Sequence, residues 1–478
     1  MRFIGEVPAH DLTYSDVFLV PSRSDVVSRL DVSLAPDDGT PATIPLVSAN
    51  MNSVTGPRLA ASLARRGGLG VLPQDMPLQE LDAAIRWVKN QPVLWDTPTV
   101  FGPNATVADV VEEIPAVEGH GVVLMDGDEY VGSIPTKRLA TALPDARLGD
   151  LLRGSQASLD AEDIQTGRRA FDLMADASLS FSAVLRHGKL VGSVSQRGAL
   201  RSTLYAPAVD NDGRLAVAAA IGINGDVQAK AKALIGAGVD VLVVDTAHGH
   251  QEAMVSALRR VSELNLGIPI VAGNVVTAVG VADLVDAGAS IIKVGVGPGA
   301  MCTTRMMTAV GRPQFSAVLE AAAEAAEQGA HVWADGGIRY PRDVALALSA
   351  GASSVMVGSW FAGTIEGPGR LRTDPSGKLY KESWGMASTK AVQERFGRLD
   401  SYEFARKMLF AEGISSSKIY LDPERPSIED LLDMITSGVR SSFTYAGARS
   451  VAEFHERAIV GVQSAAGYEE GKALPVSW

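Results

Sequence analysis

The segments VLVVD (241–245), IPIVAGN (268–274) and IIKVG (291–295) decide the fold of this chain. Each is a short apolar run, rich in β-branched residues, that ends at a glycine, an aspartate or an asparagine. Strands that are apolar on both faces are typical of parallel sheets covered by helices. An Ala-rich stretch of helical periodicity, such as VQAKAKALIGAG (227–238), separates most of them. The pattern therefore predicts alternating strands and helices.

Five further segments follow the same pattern. They are IPLVSAN (44–50), GLGVL (68–72), LAVAAAIG (215–222), HVWAD (331–335) and SVMVG (354–358). Eight strands that alternate with helices predict an α/β fold, a (β/α)₈ TIM barrel whose functional loops follow the strands. A doubly wound open sheet has the same alternation and is the alternative fold.

An insertion interrupts the barrel pattern at residues 92–208, so the predicted catalytic barrel comprises residues 1–91 and 209–478. Within the insertion, EYVGSIPTKRLA (129–140) is echoed about 60 residues later by KLVGSVSQRGAL (189–200). A tandem repeat of this size predicts a paired regulatory module.

The repeat resembles a CBS-domain pair, a module that commonly binds adenine or guanine nucleotides. The resemblance implies ATP or GTP as an effector. Many such domains have an aspartate for a ribose hydroxyl shortly after the Gly-Ser of the repeat, but here Arg138 and Gly198 stand near those places. A purely structural insertion is the alternative.

The composition narrows the class of protein. Of 478 residues, 46% are hydrophobic and 21% are charged, as in a soluble α/β enzyme. The net charge of −12 argues against a surface that coats nucleic acid. No apolar run is long enough for a membrane span, and the N-terminus lacks a signal-peptide pattern, so we expect a cytoplasmic protein. A single cysteine excludes an intramolecular disulfide.

The segment KVGVGPGAMCTTR (293–305) directly follows the sixth strand and contains that cysteine. Its glycines let the backbone turn tightly, and the loop would present Cys302 at the functional end of the barrel as a nucleophile. Thr304 can hydrogen-bond a reacting group beside the sulfur. Lone cysteines are usually buried and inert, which is the competing interpretation.

Two further loops, ADGGIRY (334–340) and GSWFAG (358–363), follow strands seven and eight. Barrels often bind phosphate at these two positions through glycine amides and the start of a short helix. We expect Asp335 to bind ribose hydroxyls. The expected phosphate contacts are Gly336, Gly337, Gly358 and Ser359.

The order of several motifs makes a family resemblance specific. They are LTYSDVFLVP (12–21), IPLVSANM (44–51), GVDVLVVDTAHGH (238–250), IVAGNVVTA (270–278), the Cys302 loop, ADGGIRY and WGMAS (384–388). Together they resemble the inosine monophosphate dehydrogenase / guanosine monophosphate reductase family, over nearly the whole barrel. The resemblance implies a barrel with a CBS pair in this loop, and a bond between the cysteine sulfur and C2 of a purine nucleoside monophosphate.

The resemblance also implies ligand contacts and an assembly. A potassium ion would bind main-chain oxygens of Gly297, Gly299 and Cys302, and the protein would form a homotetramer or an octamer. The implied nucleotide contacts are Ser48, Asn274, Asp335, Gly337, Gly358, Ser359, Gly385, Met386 and Ala387.

The two family reactions diverge after the adduct forms. The dehydrogenase hydrolyses it with water activated by a flap carrying Gly-Arg, but the flap region here reads SSKIYLDPERPSIEDLLDM (416–434). FAEG (410–413) resembles the Ser-Glu-Gly of the reductase, so Glu412 and Thr304 are the expected proton-transfer pair. The resemblance thus favours NADPH-dependent reduction of guanosine monophosphate (GMP) to inosine monophosphate (IMP). NAD-dependent oxidation of IMP is the alternative.

The residues that would bind the cofactor are predicted from the same resemblance. SRLDVSL (28–34) is similar to a reductase segment used toward NADPH, so Ser28 and Arg29 are expected at its 2′-phosphate. In contrast, DTAHGHQ (245–251) is closer to the dehydrogenase, and a CBS insertion is uncommon in reductases. The other expected cofactor contacts are Asp245, Thr246, Ala247, Ser441 and Ser442.

Two functions of other classes compete with these. His248 and His250 could be metal ligands of a barrel hydrolase, but such a site needs further ligands, and the chain has only 7 histidines. A catalytically silent nucleotide sensor would bind nucleotides at the CBS pair alone. The presence of Cys302, Thr304 and Glu412 argues against the sensor.

Overall fold

The computed structural model describes residues 1–152, 158–385, 388, 393, 400–409 and 417–472. Eight parallel strands form a closed barrel in the order β3-β4-β5-β6-β7-β8-β1-β2. Their bounds are β1 Leu46–Ser48, β2 Leu69–Leu72, β3 Ala218–Ile221, β4 Val241–Asp245, β5 Ile270–Val275, β6 Ile291–Val294, β7 His331–Asp335 and β8 Ser354–Val357. The predicted barrel is confirmed: seven of the strands fall within their predicted segments, and β5 extends one residue beyond its segment, to Val275.

A major helix follows each strand. These helices are α1 Pro57–Arg65, α2 Leu78–Lys89, α3 Val227–Ala237, α4 Glu252–Ser262, α5 Ala278–Asp286, α6 Gln314–Glu327, α7 Pro341–Ser349 and α8 Ile428–Ala446. Local sequence fixes their ends: α3, for example, begins after Asp226, whose side chain accepts a hydrogen bond from the Ala229 N–H. It ends at Gly238, which adopts φ +99°, a left-handed conformation that glycine adopts without strain.

Smaller elements surround the barrel. A three-stranded sheet of Arg2–Phe3, Ile459–Val462 and Val17–Val20 joins the two ends of the chain, and a second one pairs Arg372–Thr373, Leu379–Ser383 and Ser417–Tyr420. The short helices outside the insertion are Tyr14–Asp16, Arg29–Asp31, Thr304–Thr308, Ser359–Ala362, Ser401–Leu409, Val451–Arg457 and Ala465–Glu470. No helix within the described ranges is long and apolar enough to cross a membrane.

The insertion between α2 and β3 contains two similar units. The first has strands Val100–Phe101, Gly121–Asp126 and Glu129–Pro135, with helices Val107–Val111, Thr136–Thr141 and Leu148–Leu151. The second has strands Leu159–Asp160, Phe181–Arg186 and Lys189–Ser195, with helices Gly167–Asp176 and Gln196–Leu204. In both units the repeated sequence forms the last strand and the start of the following helix.

The two units pack on each other. Val123 of the first and Phe181 and Ala183 of the second form a shared apolar cluster. A Cβ on Gly121 would lie 2.1 Å from the Phe181 ring, so the small residue lets the two sheets approach. The two repeat units therefore pack directly against each other.

Buried ion pairs attach the insertion to the barrel. Arg66, just after α1, contacts Asp96 at 2.8 Å and Glu429 of α8 at 2.8 Å. Arg201, in the last helix of the insertion, contacts Glu429 at 3.0 Å and Asp430 at 2.6 Å. Glu429 thus accepts from both arginines, and their positive charges lower its pKa against the effect of burial, which would raise it.

Candidate functional site

A cavity of about 750 Å³ opens at the carboxyl ends of the barrel strands, the end where barrel enzymes place their active sites. Its wall combines the Cys302 loop with Asn274 of β5 and with residues that follow β3, β4, β7 and β8. The sequence-predicted residues on this wall are Asp245, Thr246, Ala247, Asn274, Gly297, Gly299, Cys302, Thr304, Asp335, Gly336, Gly337, Gly358, Ser359 and Gly385. A cavity of this size can hold a nucleotide-sized ligand.

The Cys302 loop presents the thiol to this cavity. Cys302 is exposed and unbridged, and its Sγ lies 3.3 Å from the Thr304 hydroxyl, to which it donates a hydrogen bond. The Cys302 N–H donates to the Gly299 carbonyl at 2.9 Å and closes the turn. An accessible thiol beside a hydroxyl is the arrangement that nucleophilic chemistry requires, and it is not that of an inert core cysteine.

Gly297 is required for the shape of this loop. It adopts φ +85°, and a Cβ at this position would lie 2.3 Å from Cγ of Arg305. Arg305 therefore packs against the loop backbone rather than standing free beside the thiol.

A buried lysine organises the other wall of the cavity. Lys293 of β6 contacts Asp245 Oδ1 at 2.8 Å and Asp335 Oδ2 at 2.7 Å. Burial alone would lower the pKa of Lys293, but the two carboxylates outweigh it and raise that pKa, so the ammonium is charged at neutral pH. Asn50 Nδ2 donates to the second oxygen of Asp245 at 3.0 Å.

Asn274 adds an amide to the same wall. Its Nδ2 donates to the Gly295 carbonyl at 2.6 Å and to Asp335 Oδ2 at 2.9 Å. Its Oδ1 is buried and has no hydrogen-bond partner among the described residues. A buried acceptor without a partner is costly, which points to a donor on a bound ligand.

The loops after β7 and β8 lie beside the Cys302 loop. A Cβ on Gly336 would lie 3.2 Å from the Gly299 backbone nitrogen, and a Cβ on Gly385 would lie 2.9 Å from the Met301 carbonyl. Ser359 begins the short helix after Gly358, with the cavity at its start. The predicted phosphate and ribose residues are thereby brought to one site with the thiol.

Ser48 is placed differently from the prediction. It is fully buried at the end of β1, where its hydroxyl accepts a hydrogen bond from Thr55 at 2.7 Å, and it is not on the cavity wall. Its neighbours Ala49 and Met51 line the cavity instead.

The predicted cofactor residues fall into two groups. Asp245, Thr246 and Ala247 line the Cys302 cavity. Ser28 and Arg29 line a separate cavity of about 1060 Å³ between the insertion and α8.

Two more of these residues also lie away from the thiol. Ser441 and Ser442 donate hydrogen bonds to backbone carbonyls of α8 itself, at 2.9 and 3.3 Å. Within a single chain the structure does not bring them, or Ser28 and Arg29, to Cys302.

Three predicted residues cannot be placed. Glu412, Met386 and Ala387 lie outside the described residues. Of the predicted proton-transfer pair, the structure therefore describes only Thr304.

The predicted potassium ligands lie in the Cys302 loop. Gly297, Gly299 and Cys302 all line the cavity, and the Gly299 carbonyl accepts the hydrogen bond that closes the turn. Main-chain carbonyls are the oxygen ligands that potassium takes in proteins, so the donor chemistry fits the ion. The ion itself stays a prediction.

The geometry does not support the alternative in which His248 and His250 are the metal ligands of a hydrolase. His250 Nε2 lies 2.6 Å from Asp283 on an exposed part of the surface. Across the described ranges, no group of three or more His, Cys, Asp or Glu side chains could hold a metal ion.

Sequence reasoning missed Lys293 and Asn50. A lysine within the otherwise apolar strand IIKV was the available signal, because a buried ammonium requires carboxylate partners. Two such partners, Asp245 and Asp335, had each been predicted for another role.

Comparison with known proteins shows which family this chain resembles. It matches the family model described as IMP dehydrogenase / GMP reductase domain over residues 11–473. A GMP reductase of Mycobacterium tuberculosis is 52% identical over 481 aligned residues, which cover 100% of both chains. An inosine-5'-monophosphate dehydrogenase of Staphylococcus aureus is 34% identical over 457 residues, 94% of this chain and 92% of that one.

A solved structure agrees with these relatives. The crystal structure of a cysteine-to-alanine variant of GMP reductase from Trypanosoma brucei, in complex with guanosine 5'-monophosphate, has a TM-score of 0.70 and 29% identity. The alignment covers 98% of this chain and 99% of the trypanosomal chain. The sequence motifs, the barrel and the cysteine loop agree with these comparisons, and the chain belongs to the IMP dehydrogenase / GMP reductase family.

Proposed function

We propose that the protein is a GMP reductase, which converts GMP to IMP and ammonia with NADPH. The observation that carries the proposal is the exposed thiol of Cys302, 3.3 Å from the Thr304 hydroxyl, in a cavity that also contains Asp335. The greater identity to the mycobacterial reductase (52%) than to the staphylococcal dehydrogenase (34%) favours reduction over hydrolysis.

The cavity wall can hold the nucleotide in a productive position. Asp335 Oδ2 is occupied by donors from Lys293 and Asn274, which leaves Oδ1 to accept from a ribose hydroxyl. The glycines after β7 and β8 line the same space, and their amides would suit the phosphate. This placement would bring C2 of the purine to Cys302.

In the proposed reaction, the Cys302 sulfur, as the thiolate, forms a bond to C2, and the bond from C2 to the exocyclic nitrogen breaks. The amine must gain one proton to leave as ammonia, and Thr304 is positioned to relay it. We assign Glu412 as the source of that proton. When bound, NADPH supplies the hydride that replaces sulfur at C2, so that IMP is released and the thiolate is restored.

The remaining assignments belong to the same proposal. Asp245, Thr246 and Ala247 would contact the cofactor, and the carbonyls of Gly297, Gly299 and Cys302 would hold a potassium ion that steadies the loop. Ser28, Arg29, Ser441 and Ser442 are assigned to NADPH although they lie apart from the thiol in one chain. A homotetramer or octamer would reconcile these positions if a second copy supplied them.

We assign the inserted pair a regulatory role as a CBS module that binds ATP or GTP. Its attachment to α8 through Glu429 gives it a route to the barrel. In the second repeat, Asp96 Oδ2 lies 2.5 Å from the position of a Cβ on Gly198, so an aspartate would not fit there. The first repeat is therefore the better candidate for the nucleotide.

Offering each substrate with each cofactor tests the proposal. The purified protein is incubated with GMP and NADPH, and separately with IMP and NAD, while the near-ultraviolet absorbance of the reduced cofactor is followed. We expect NADPH to be oxidised in the first mixture and no reduced cofactor to form in the second. Turnover in the second mixture alone would identify a dehydrogenase instead.

A further inference from the structure

The carboxylates on the two sides of the cavity share one buried lysine. We propose that Lys293 is a positioning residue that holds Asp335 toward the substrate ribose and Asp245 toward the cofactor. It would thus set the geometry of both binding sites at once. This inference rests on the proposed function, because it takes Asp335 to bind GMP and Asp245 to bind the cofactor.

The barrel places Lys293 between its two partners. Asp245 is the last residue of β4 and Asp335 the last residue of β7, while Lys293 lies in β6. To reach Asp245 the lysine must cross β5, where its register partner is Gly273. A Cβ on Gly273 would lie 2.7 Å from the Lys293 Cβ, so the glycine leaves room for the lysine.

The hydrogen bonds leave one oxygen of Asp335 for a ligand. Lys293 and Asn274 both donate to its Oδ2, at 2.7 and 2.9 Å. None of the described residues donates a side-chain hydrogen bond to its Oδ1, and the residue lines the cavity. Two donors on the same oxygen fix the carboxylate plane, and so fix the direction in which Oδ1 accepts.

Asp245 is fixed in the same manner. Its Oδ1 contacts Lys293 at 2.8 Å and its Oδ2 accepts from Asn50 at 3.0 Å. Each oxygen retains a further lone pair for a hydroxyl on a ligand. Without the lysine, two carboxylates in a largely buried site would repel each other, and they would rotate apart or take up protons.

A purely structural ion pair would not need to line a binding cavity. Asp245, Asn274, Lys293 and Asp335 all do so. The chain also offers a structural counterpart: Lys89 is equally buried and contacts Asp210 at 2.9 Å and Asp240 at 2.6 Å, and none of these three residues lines the Cys302 cavity. Lys89 is therefore a matched control.

The test compares Lys293→Met with Lys89→Met in the full-length protein. Isothermal titration calorimetry measures the binding of GMP alone and of NADP⁺ alone, so that no turnover is needed. Because a lost charge-assisted hydrogen bond misplaces each carboxylate, we expect Lys293→Met to weaken both ligands by about tenfold or more. Lys89→Met should leave both dissociation constants within about twofold, while it lowers the thermal unfolding temperature.

A folded Lys293→Met protein that binds both ligands as tightly as the wild type would overturn the inference, as would one that loses GMP affinity alone. If Lys293→Met does not fold, Lys293→Arg decides, because it keeps the charge but alters the distances. Weaker binding of both ligands by Lys293→Arg supports the positioning role, and unchanged binding of both contradicts it. Failure of the wild type to bind GMP would refute the proposed function instead.

Discussion

In the proposed mechanism, the thiol of Cys302 and the hydroxyl of Thr304 form the reactive pair of the site. Their separation of 3.3 Å lets the hydroxyl exchange a proton with a group that is bonded to the sulfur or is leaving C2. A hydroxyl that gives up its proton must regain one, so the relay needs a carboxyl group that donates a proton to the hydroxyl. We assign Glu412 to this role from the sequence.

Substitution of Thr304 tests the proton relay. Thr304→Val keeps the shape of the side chain but removes the hydroxyl, so we expect kcat to fall by about 100-fold with little change in GMP binding. Thr304→Ser keeps the hydroxyl and should retain most of the activity. Steady-state kinetics of both variants checks this, and a Thr304→Val enzyme with full activity would remove Thr304 from the mechanism.

Among the elements, the loop after β6 matters most, because its backbone aims the thiol. Gly297→Ala would place a Cβ 2.3 Å from Cγ of Arg305 at a backbone φ of +85°. We expect the loop to shift and kcat to fall at least tenfold, since a displacement of about 1 Å in a reacting group can cost 100-fold. The barrel strands do not depend on this loop, so the unfolding temperature should change little.

Gly213→Ala is the matched control for this loop variant. Gly213 has a similar φ of +76°, but a Cβ there meets nothing within 4 Å. This variant should show the small cost of the left-handed backbone and retain full activity. Equal losses of activity in both variants would mean that the shape of the Cys302 loop is not specifically required.

At the scale of the whole molecule, Lys89 stabilises the junction between the barrel and the insertion through two ion pairs. It ends α2, just before the insertion, and contacts Asp210, where the chain returns, and Asp240, which precedes β4. Burial alone would raise the pKa of Asp210, but hydrogen bonds from Lys89 and the backbone lower it from 3.8 to about 2. The Lys89–Asp210 pair therefore stabilises the fold above pH 4 and loses its effect as the pH falls toward 2, whereas burial raises the pKa of Asp240.

The variant Lys89→Met tests this junction. It leaves two carboxylates without their ammonium, so at pH 7 we expect a loss of about 3–5 kcal/mol in the free energy of unfolding. The loss should shrink at lower pH, because protonation removes the uncompensated charges. Urea unfolding midpoints of wild type and variant at pH 7 and pH 4 measure it; a difference that grows at pH 4 would contradict the account.

Much of this architecture could be predicted from the sequence. All eight barrel strands coincide with predicted apolar segments, most of which end in Gly, Asp or Asn, and the internal repeat around Gly132 and Gly192 forms equivalent strands of two units. Such features follow from local patterns of hydrophobicity and turn residues. The Cys302 loop is predictable for the same reason, because its glycines at 295, 297 and 299 lie within a few residues of the cysteine in the chain.

Long-range charge pairing could not be predicted in this way. Glu429 contacts Arg66, and Lys293 contacts Asp245 and Asp335, across separations that no local pattern records. The same limit explains why the position of Ser28 could not be predicted. Its motif resembles a cofactor-binding segment, but its distance from the thiol depends on the packing of the whole chain.

The central claim is that Cys302 forms the bond to GMP that makes its deamination possible. The most direct measurement compares wild type with Cys302→Ala, recording ammonia released from GMP with NADPH together with GMP binding by calorimetry. We predict that the variant releases no ammonia and binds GMP within about threefold of the wild type, because the thiol supplies the covalent step and little of the binding. Ammonia release by Cys302→Ala at the wild-type rate would contradict the claim.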